Sequence, residues 1–408
     1  MGKVSFHPPA ITLERNGCRV IVRRVPSVDG EELFLTAEPQ VAGTAADQAT
    51  FVFEGVCEAL SGLAEGRNVS ILTLNLYLQN IARDRDEVRA ALRQSFERHG
   101  LGDLVPVSFE IEQPPADELA CFTAAIQVLL TPLSASPMCT LVHGPPEGPG
   151  EAGTEPKGVR VAREGEVHLY ASGLYGRGEA ASEQALSMFQ VAEAMLEKSG
   201  LAWTDVVRTW IHLAQIDQDY SALNEARRSF FQSRSLNPVP ASTGIGGQPV
   251  SPEHRLSLGL YACRLPESVI RHKRPMSAST LNEAPTYGAD FVRGMRVEDG
   301  KRVSLYVSGT ASIDEEGRTA HVGNIEAQIE RMLLNVSALL TEQGADARDI
   351  VSATTYLKEP GDRGLLLDRY QRAGFQGFPH TLVIAPICRP ELLCEVEVVA
   401  VRALGPVT

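Results

Sequence analysis

Apolar residues in this chain follow two spacings, one typical of strands and one typical of helices, and the two alternate in a recurring order. The segments SLYVSG and LLCEVEVVAV are rich in Val and Leu, as strands are. Met188, Val191, Met195 and Leu196 recur at helical spacing. The predicted order of elements is a β-hairpin, a strand, a helix, a strand, a helix and two further strands.

This order occurs more than once, together with matching motifs. One segment contains LYASG, a long amphipathic helix, a Gly turn and DVV, and a later segment contains LYVSG, a helix, a Gly turn and DIV. Asp205 therefore matches Asp349, and Ser172 matches Ser308. The strands ELFLTAEP and NVSILTLNLYLQN indicate a fainter first copy. The chain is thus predicted to contain three tandem α/β (α+β) units.

Two polar, Gly- and Pro-containing segments separate these copies. They predict linkers at 136–158 and 266–285, between a degenerate first domain at 1–135, a second domain at 159–265 and a third at 286–408. One face of each sheet should pack on the two helices of its copy, which leaves the other face to be covered. We therefore expect an intramolecular pseudo-trimer, with the sheets facing a common core and the helices outside.

Composition narrows the classes of partner. The net charge of −13 argues against nucleic acid and anionic membranes, and no run of about 18 apolar residues predicts a membrane span. The amino-terminal segment MGKVSFHPPAITLERNG has no apolar signal core, so we expect a cytoplasmic protein. The seven scattered cysteines have no zinc spacing, and there is no Gly-rich nucleotide motif, so no metal or cofactor is predicted. The expected partners are a small-molecule substrate and a second copy in a homodimer.

Several motifs suggest a family. SGTASI, RTWIHL, PASTGIGG and ICRPELLCEVE resemble motifs of the Rid (YjgF) family of small-molecule enzymes. The resemblance covers residues 160–405 well and residues 1–132 weakly. Ordinary members are single copies that assemble as trimers with active sites between subunits. The resemblance therefore implies a fused trimer of Rid/chorismate-mutase-like domains, with clefts between its own domains.

In that family an Arg near a Pro binds the substrate carboxylate, and a Glu on the last strand activates water to hydrolyse an imine. By resemblance, Glu395 is that Glu in the third copy, and His380 stands in place of the Arg. The second copy has Ser257 and Ser242 at these two places, and the last strand of the first copy, LACFTAA, has no acid. The family's carboxylate is thus retained once and its Arg nowhere, which argues against plain imine hydrolysis.

Two subgroups share further features with the chain. The chain has one acid-bearing copy among related copies, and in this it resembles the chorismatases. Some chorismatases carry a Cys seven residues before the Glu, as Cys388 precedes Glu395. RTWIHL followed by DYSALNEARRSFF resembles three-copy Rid-like cyclases of dialkylresorcinol and carbazole biosynthesis. We expect a cyclase or aromatase of specialised metabolism, with a ketosynthase supplying a reactive carbonyl or cyclohexenone-like substrate. The alternatives are a chorismatase-type lyase or hydrolase, and an imine deaminase or a non-catalytic ligand-binding module.

Glu395 is the expected catalytic group. Strand alternation places it with Glu397 on one sheet face, between apolar strands and a domain cleft, where burial should raise its pKa. A carboxyl of that kind suits proton transfer near neutral pH, although an acid on a solvated face is the alternative. His380 could hold a proton or a carbonyl oxygen, or could be a structural histidine.

Two residues before the last strand are candidate substrate ligands. Arg389 could fix a substrate anion bidentately, or could form a surface ion pair with Glu391. Cys388 could line the pocket. A cysteine without an evident activating group is more often packing than a nucleophile.

Two further strands contribute candidate binding residues. Ser308, Gly309 and Thr310 end a strand, where Gly lets a ligand approach and the hydroxyls could donate to a carbonyl, unless they simply form a turn. Arg208 and Trp210 share one face of their strand. They could clamp a planar substrate in the neighbouring domain's cleft, or could pack in the domain interface.

Overall fold

The computed structural model describes residues 9–15, 17–27, 30–102, 107–134, 138–144, 156–163, 165–266, 273–282 and 290–404. These residues form three β-sheets, and a pair of helices covers one face of each. The first sheet and its helices are β1 (Ile11–Arg15), β2 (Cys18–Ser27), β3 (Gly30–Pro39), α1 (Ala45–Ala64), β4 (Asn68–Leu78), α2 (Ile81–Arg98), β5 (Ser108–Glu112) and β6 (Phe122–Thr131).

The second and third units repeat this order. The second contains β7 (Met138–His143), β8 (Pro156–Arg163), β9 (Glu166–Leu174), α3 (Ala181–Lys198), β10 (Val206–Leu213), α4 (Ile216–Ser233), β11 (Ala241–Gly246), β12 (Gln248–Pro249) and β13 (Leu256–Arg264). The third contains β14 (Lys273–Pro275), β15 (Gly294–Glu298), β16 (Arg302–Ala311), α5 (Ile325–Glu342), β17 (Ile350–Leu357), α6 (Arg363–Arg372), β18 (His380–Ile384) and β19 (Cys394–Ala403).

All three sheets have the same topology. The strand orders β3-β6-β4-β5, β9-β13-β10-β11 and β16-β19-β17-β18 are equivalent, with the last two strands of each set parallel to one another. Polar caps fix where several helices begin: Asn80 and Asn324 each accept a backbone hydrogen bond in the first turn of α2 and α5. The predicted fold class and the three-copy organisation are confirmed.

The three domains close into a ring. On one side each sheet ends in β5, β11 or β18, and a neighbouring domain pairs a short segment with that edge. The pairs are Pro249 with Ile111, Ile387 with Ile245, and Pro115 with Val383. Covering these three edges in this way removes unpaired strand edges that favour aggregation.

The faces of the sheets opposite the helices meet in a shared core. Leu72 and Leu129 of the first domain pack in one apolar cluster with Tyr261 of the second and Met295 of the third. Burial of these faces removes from water the large apolar surfaces that a single domain would expose. The expected pseudo-trimer, with helices outside, is the observed arrangement.

The predicted linkers require a correction. β7 lies inside the segment 136–158 and pairs antiparallel with β8, and β14 lies inside 266–285 and pairs with β15. The second and third sheets therefore begin within segments predicted as connections. These edge strands pair on one side only, so they lack the continuous apolar pattern of central strands. Residues 136–137, 145–155, 267–272 and 283–285 of the predicted linkers lie outside the described residues.

Among the described residues, no helix has both the length and the apolar character needed to cross a membrane.

Candidate active site

The ring contains three equivalent clefts, each built from two domains. The last strand of one domain supplies one wall, and the edge strand of the preceding domain supplies the other. In the cleft between the second and third domains, β19 carries Glu395 and β11 lies beside β16. The Ser242 backbone N–H donates to Ser308 Oγ across this contact at 3.0 Å. The acid of the third domain thus faces the edge strand of the second.

Glu395 is a buried acid in this cleft. Its side chain is only 4% exposed. It pairs with Tyr356 of β17, and Glu397 pairs with Thr354, so both acids project to the same sheet face, as the alternation predicts. Desolvation and then the charge of Glu397 raise the pKa of Glu395 to about 8, against opposing effects of Arg208, Arg293 and Arg389.

A β-bulge in β16 makes room for this carboxyl. The pairing of β16 with β19 shifts between Val307 and Thr310, so that Ser308 and Gly309 together face a single partner position. A Cβ on Gly309 would overlap Glu395 Oε1. Glycine is required here because the backbone lies directly against the acid. In the first domain β3 crosses the same point without a shift in register.

Glu397, in contrast, is fully engaged by the second domain. Its Oε2 accepts hydrogen bonds from Arg208 Nη2 at 2.8 Å and from Thr243 Oγ1 at 2.6 Å, and its Oε1 accepts one from Trp210 Nε1 at 2.9 Å. Thr243 Oγ1 also accepts from the Gly309 backbone N–H at 3.0 Å. This network joins the two domains and fixes the backbone that supports Glu395.

Two predicted substrate ligands therefore belong to the domain interface. Arg208 is 2% exposed, and its guanidinium is bonded to Glu397 and to Thr243. It also lies 5.3 Å from the centre of the Trp210 ring. Arg208 Nη2 and Trp210 Nε1 both bond to Glu397 across the interface, which favours the alternative interpretation, interface packing.

The hydroxyls of Ser308 and Thr310 are likewise engaged in hydrogen bonds within the protein. Ser308 Oγ donates to the Val292 carbonyl at 2.6 Å and accepts the bond from Ser242, and Thr310 Oγ1 donates to the Ser308 carbonyl at 2.8 Å. Both side chains are buried. The expectation that they position substrate oxygens is not supported, because backbone groups already occupy them. Gly309 retains a role in the site through the space that it leaves.

Cys388 lies in the same cleft, at the boundary of the two domains. It packs against both the second and the third domain cores. Burial and the charge of Glu395 raise the pKa of its thiol to about 12, although the hydroxyl of Tyr220 from α4 hydrogen-bonds to it. At neutral pH the thiol is protonated, so the geometry supports a lining role and not a nucleophile.

Three arginines give the cleft a positive wall. Arg389 donates from Nη1 to the Gly317 carbonyl at 2.8 Å, which ties a loop of the third domain over the site. Arg293 is held by two hydrogen bonds to Asn282, and both Arg293 and Arg227 lie within 6 Å of the Phe291 ring centre. Arg389 was expected from the sequence. Arg293, Arg227 and Tyr220 were not: Tyr220 and Arg227 lie in DYSALNEARRSFF, which suggested a subgroup but no site residue, and Arg293 lies just before β15 in no quoted motif.

His380 is in a different cleft, which corrects its assignment beside Glu395. Its Nε2 is 2.8 Å from Thr355 Oγ1, and its ring stacks on Tyr370 with centres 5.2 Å apart. It borders the cleft between the third and first domains, where Thr123 holds the place of the acid. Burial lowers the pKa of His380 to about 4. Both residues belong to the third copy, and the pattern of that copy alone predicts one shared site. Each cleft, however, combines the last strand of one domain with the edge strand of the preceding domain.

The register of the sheets also identifies the other two positions equivalent to Glu395. His212 of β10 pairs with Ser257, and Tyr77 of β4 pairs with Thr123, as Tyr356 pairs with Glu395. The acid thus stands in one cleft of three, as the sequence indicates.

Comparison with known proteins is consistent with this geometry. The family model described as Endoribonuclease L-PSP matches residues 163–262 and 282–402, more than half of the chain. A RutC family protein of Pyrococcus abyssi is 29% identical over 99 residues, 24% of this chain and 78% of that protein. Protein DfrA of Myxococcus xanthus is 29% identical over 98 residues, 24% of this chain and 72% of that protein.

One solved structure matches most of the chain. A chorismatase crystal structure superimposes with a TM-score of 0.55 at 17% identity, covering 81% of this chain and 93% of that one. At this identity the likeness concerns the fold alone. Together with the family match, it shows that the chain belongs to the Rid (YjgF) family, as a fused protein of three Rid-like domains with a chorismatase-like fold.

Proposed function

We propose that the protein is a cyclase or aromatase that acts on a small reactive carbonyl compound, with Glu395 as its general acid and base. The observation that carries the proposal is a carboxyl 4% exposed, with its pKa raised to about 8, in a cleft between two domains. A group whose pKa lies near the working pH is suited to both giving and taking a proton. A ketosynthase that makes polyketide-like chains is the class of enzyme that would supply the substrate.

The reaction can be written around this one group. The ionised form of Glu395 takes a proton from the carbon beside a carbonyl, and that carbon then bonds to a second carbonyl carbon of the same molecule. The new alkoxide receives the proton from Glu395. Loss of water forms the double bond that leads to an aromatic ring. Folding the substrate in a buried cleft supplies much of the rate, because the two reacting ends are held close together.

The cleft around Glu395 suits a substrate with anionic oxygens. Arg389 and Arg293 act on the Glu395 charge, so a carboxylate or enolate bound near them would also lie near the acid. Gly309 lets the Glu395 carboxyl lie directly against the backbone of β16, which fixes the position of the acid beside these arginines. These arginines are the groups that would orient the oxygens, in place of the serine and threonine that the sequence suggested.

The arginines, together with the chorismatase-like fold, also favour a second candidate. A chorismatase-type lyase or hydrolase would bind a substrate with two carboxylates and would begin by protonating an enol ether. That reaction requires the acid form of Glu395, whereas cyclisation begins from the base form. The two candidates therefore predict opposite changes of kcat/KM with pH around pH 8.

The test is incubation of the protein with chorismate and, separately, with a linear β-polyketone, followed by liquid chromatography and mass spectrometry. Cyclase activity predicts a dehydrated ring from the polyketone, with kcat/KM rising up to about pH 8. Hydroxybenzoate or pyruvate from chorismate, with kcat/KM falling above that pH, would establish the second candidate instead. Glu395→Gln should abolish turnover in either case, and full activity in that variant would refute the site. Saturable binding without any product would identify a ligand-binding module.

A further inference from the structure

The cleft between the first and second domains is the counterpart of the candidate active site, but its lining is different. It encloses about 660 Å³, a volume typical of small-molecule sites. Ser172 and Gly173 occupy the place of Ser308 and Gly309, and the sheet of the second domain has the same shift in register beside them. Ser257 replaces the acid. The shape of a ligand cleft is thus kept while the proton-transferring group is absent.

Positive charge dominates the lining of this cleft. Arg85, Arg89 and Arg93 of α2 line one wall at successive four-residue intervals, and Lys157 lines the other wall. Glu110 is the one carboxylate among the described lining residues. It accepts a hydrogen bond from Arg85 Nε at 2.7 Å, and its other oxygen lies 3.5 Å from Arg89 Nε. Four positively charged side chains thus line one cleft of a chain whose net charge is −13.

An anion in this cleft would interact favourably with the arginine-bearing face of α2. Like charges four residues apart on a helix repel one another, by a few tenths of a kcal/mol for each pair. A bound anion would remove that repulsion and gain charge-assisted hydrogen bonds from the guanidinium groups. The three arginines extend over eight residues, about 12 Å along the helix, which matches a ligand with more than one anionic group. Tyr175 and His254, stacked at 4.2 Å, form the end of the cleft next to Lys157.

From these features we infer that the cleft between the first and second domains is a binding site for a small polyanion, of the diphosphate or polycarboxylate class. It is separate from the Glu395 cleft and has no part in the proposed proton transfer. The acid-free cleft binds a ligand that it does not transform.

Isothermal titration calorimetry with pyrophosphate and with citrate, each at constant ionic strength, tests the inference. We expect saturable binding at one site, with a Kd below about 1 mM. Arg93→Gln, at an exposed position, and the double variant Arg89→Gln/Arg93→Gln should weaken binding by about tenfold or more. Arg98→Gln is the matched control, because this arginine is on the same helix but pairs with Glu54 outside the cleft.

The outcomes are distinct. Binding of both anions, or of pyrophosphate alone, that is lost in the Arg89/Arg93 variants and kept in Arg98→Gln supports the site and identifies the ligand class. Binding that is instead lost in Arg389→Gln would locate the anion in the Glu395 cleft and overturn the inference. Absence of saturable binding, or an equal loss in Arg98→Gln, would also overturn it. The proposed catalytic function does not depend on the result.

Discussion

Replacement of Glu395 by Gln is expected to stabilise the folded protein at neutral pH while it removes proton transfer. The carboxyl has a pKa of about 8 in the folded protein, against 4.5 for a glutamate exposed to water. Between these two values the folded protein keeps the proton and the unfolded chain releases it, so the free energy of unfolding falls as pH rises. Gln has nearly the same shape but does not ionise, so the variant should not lose stability in this pH range.

The magnitude follows from the width of that pH window. Each pH unit above the solvated pKa costs about 1.4 kcal/mol, so the carboxyl should destabilise the fold by about 3 kcal/mol at pH 7. The penalty should be small below pH 4.5 and should level off above about pH 8. Because Glu395 is 4% exposed, solvent screens little of this effect. A gain from removing a catalytic group is the expected exchange of stability for activity.

The assay is urea unfolding of wild type and Glu395→Gln at pH 5 and at pH 8, followed by tryptophan fluorescence. The difference in midpoint should be slight at pH 5 and largest at pH 8. Glu397→Gln is the matched control and should have the opposite effect. It leaves the buried Arg208 guanidinium without its carboxylate, a loss of about 3–5 kcal/mol. A gain that is independent of pH, or a Glu395→Gln variant less stable than wild type at pH 8, would refute the reasoning.

Three further substitutions test the geometry of the site. Gly309→Ala should lower both turnover, by about tenfold or more, and the melting temperature, because the new methyl group overlaps the Glu395 carboxyl; unchanged kinetics would show that the close approach is unimportant. Cys388→Ser should keep turnover within about threefold, because a thiol with a pKa of about 12 is protonated at neutral pH; a hundredfold loss, or rapid inactivation by iodoacetamide, would indicate a nucleophile. His380→Asn should leave kcat/KM unchanged, because this ring belongs to the cleft that holds Thr123; a loss as large as that of Glu395→Gln would return it to the active site.

The fold could be predicted from the sequence because each copy contains the residue pattern of its own strands and helices. Strand and helix spacings, the Ser-Gly strand ends and the Asp before the next strand recur in the second and third copies, so copies can be recognised without any contact information. The position of Glu395 follows from the same local pattern, because alternation along one strand fixes its sheet face. The strands β7 and β14 were missed because short edge strands carry little periodic signal.

The pairing of residues across domains could not be predicted in this way. His380 and Glu395 are close in the chain, yet the ring brings Ser242 to the Glu395 cleft and takes His380 to the next one. Arg208 and Trp210 donate hydrogen bonds to Glu397, almost 190 residues away in the sequence. The residues around them therefore give no sign that these side chains bond across the domain interface. Residue spacing within one copy predicts the structure of that domain, whereas each cleft forms only where two domains pack together in the ring.

We propose that one cleft of the three performs chemistry and that Glu395 is its proton-transferring group. The most direct measurement compares kcat for wild type, Glu395→Gln, Ser257→Ala and Thr123→Ala on the substrate that the wild type accepts. The three variants alter the equivalent position in each of the three domains. We predict that Glu395→Gln abolishes turnover and that the other two variants retain it. Retained turnover in Glu395→Gln, or an equal loss in Ser257→Ala or Thr123→Ala, would contradict the claim.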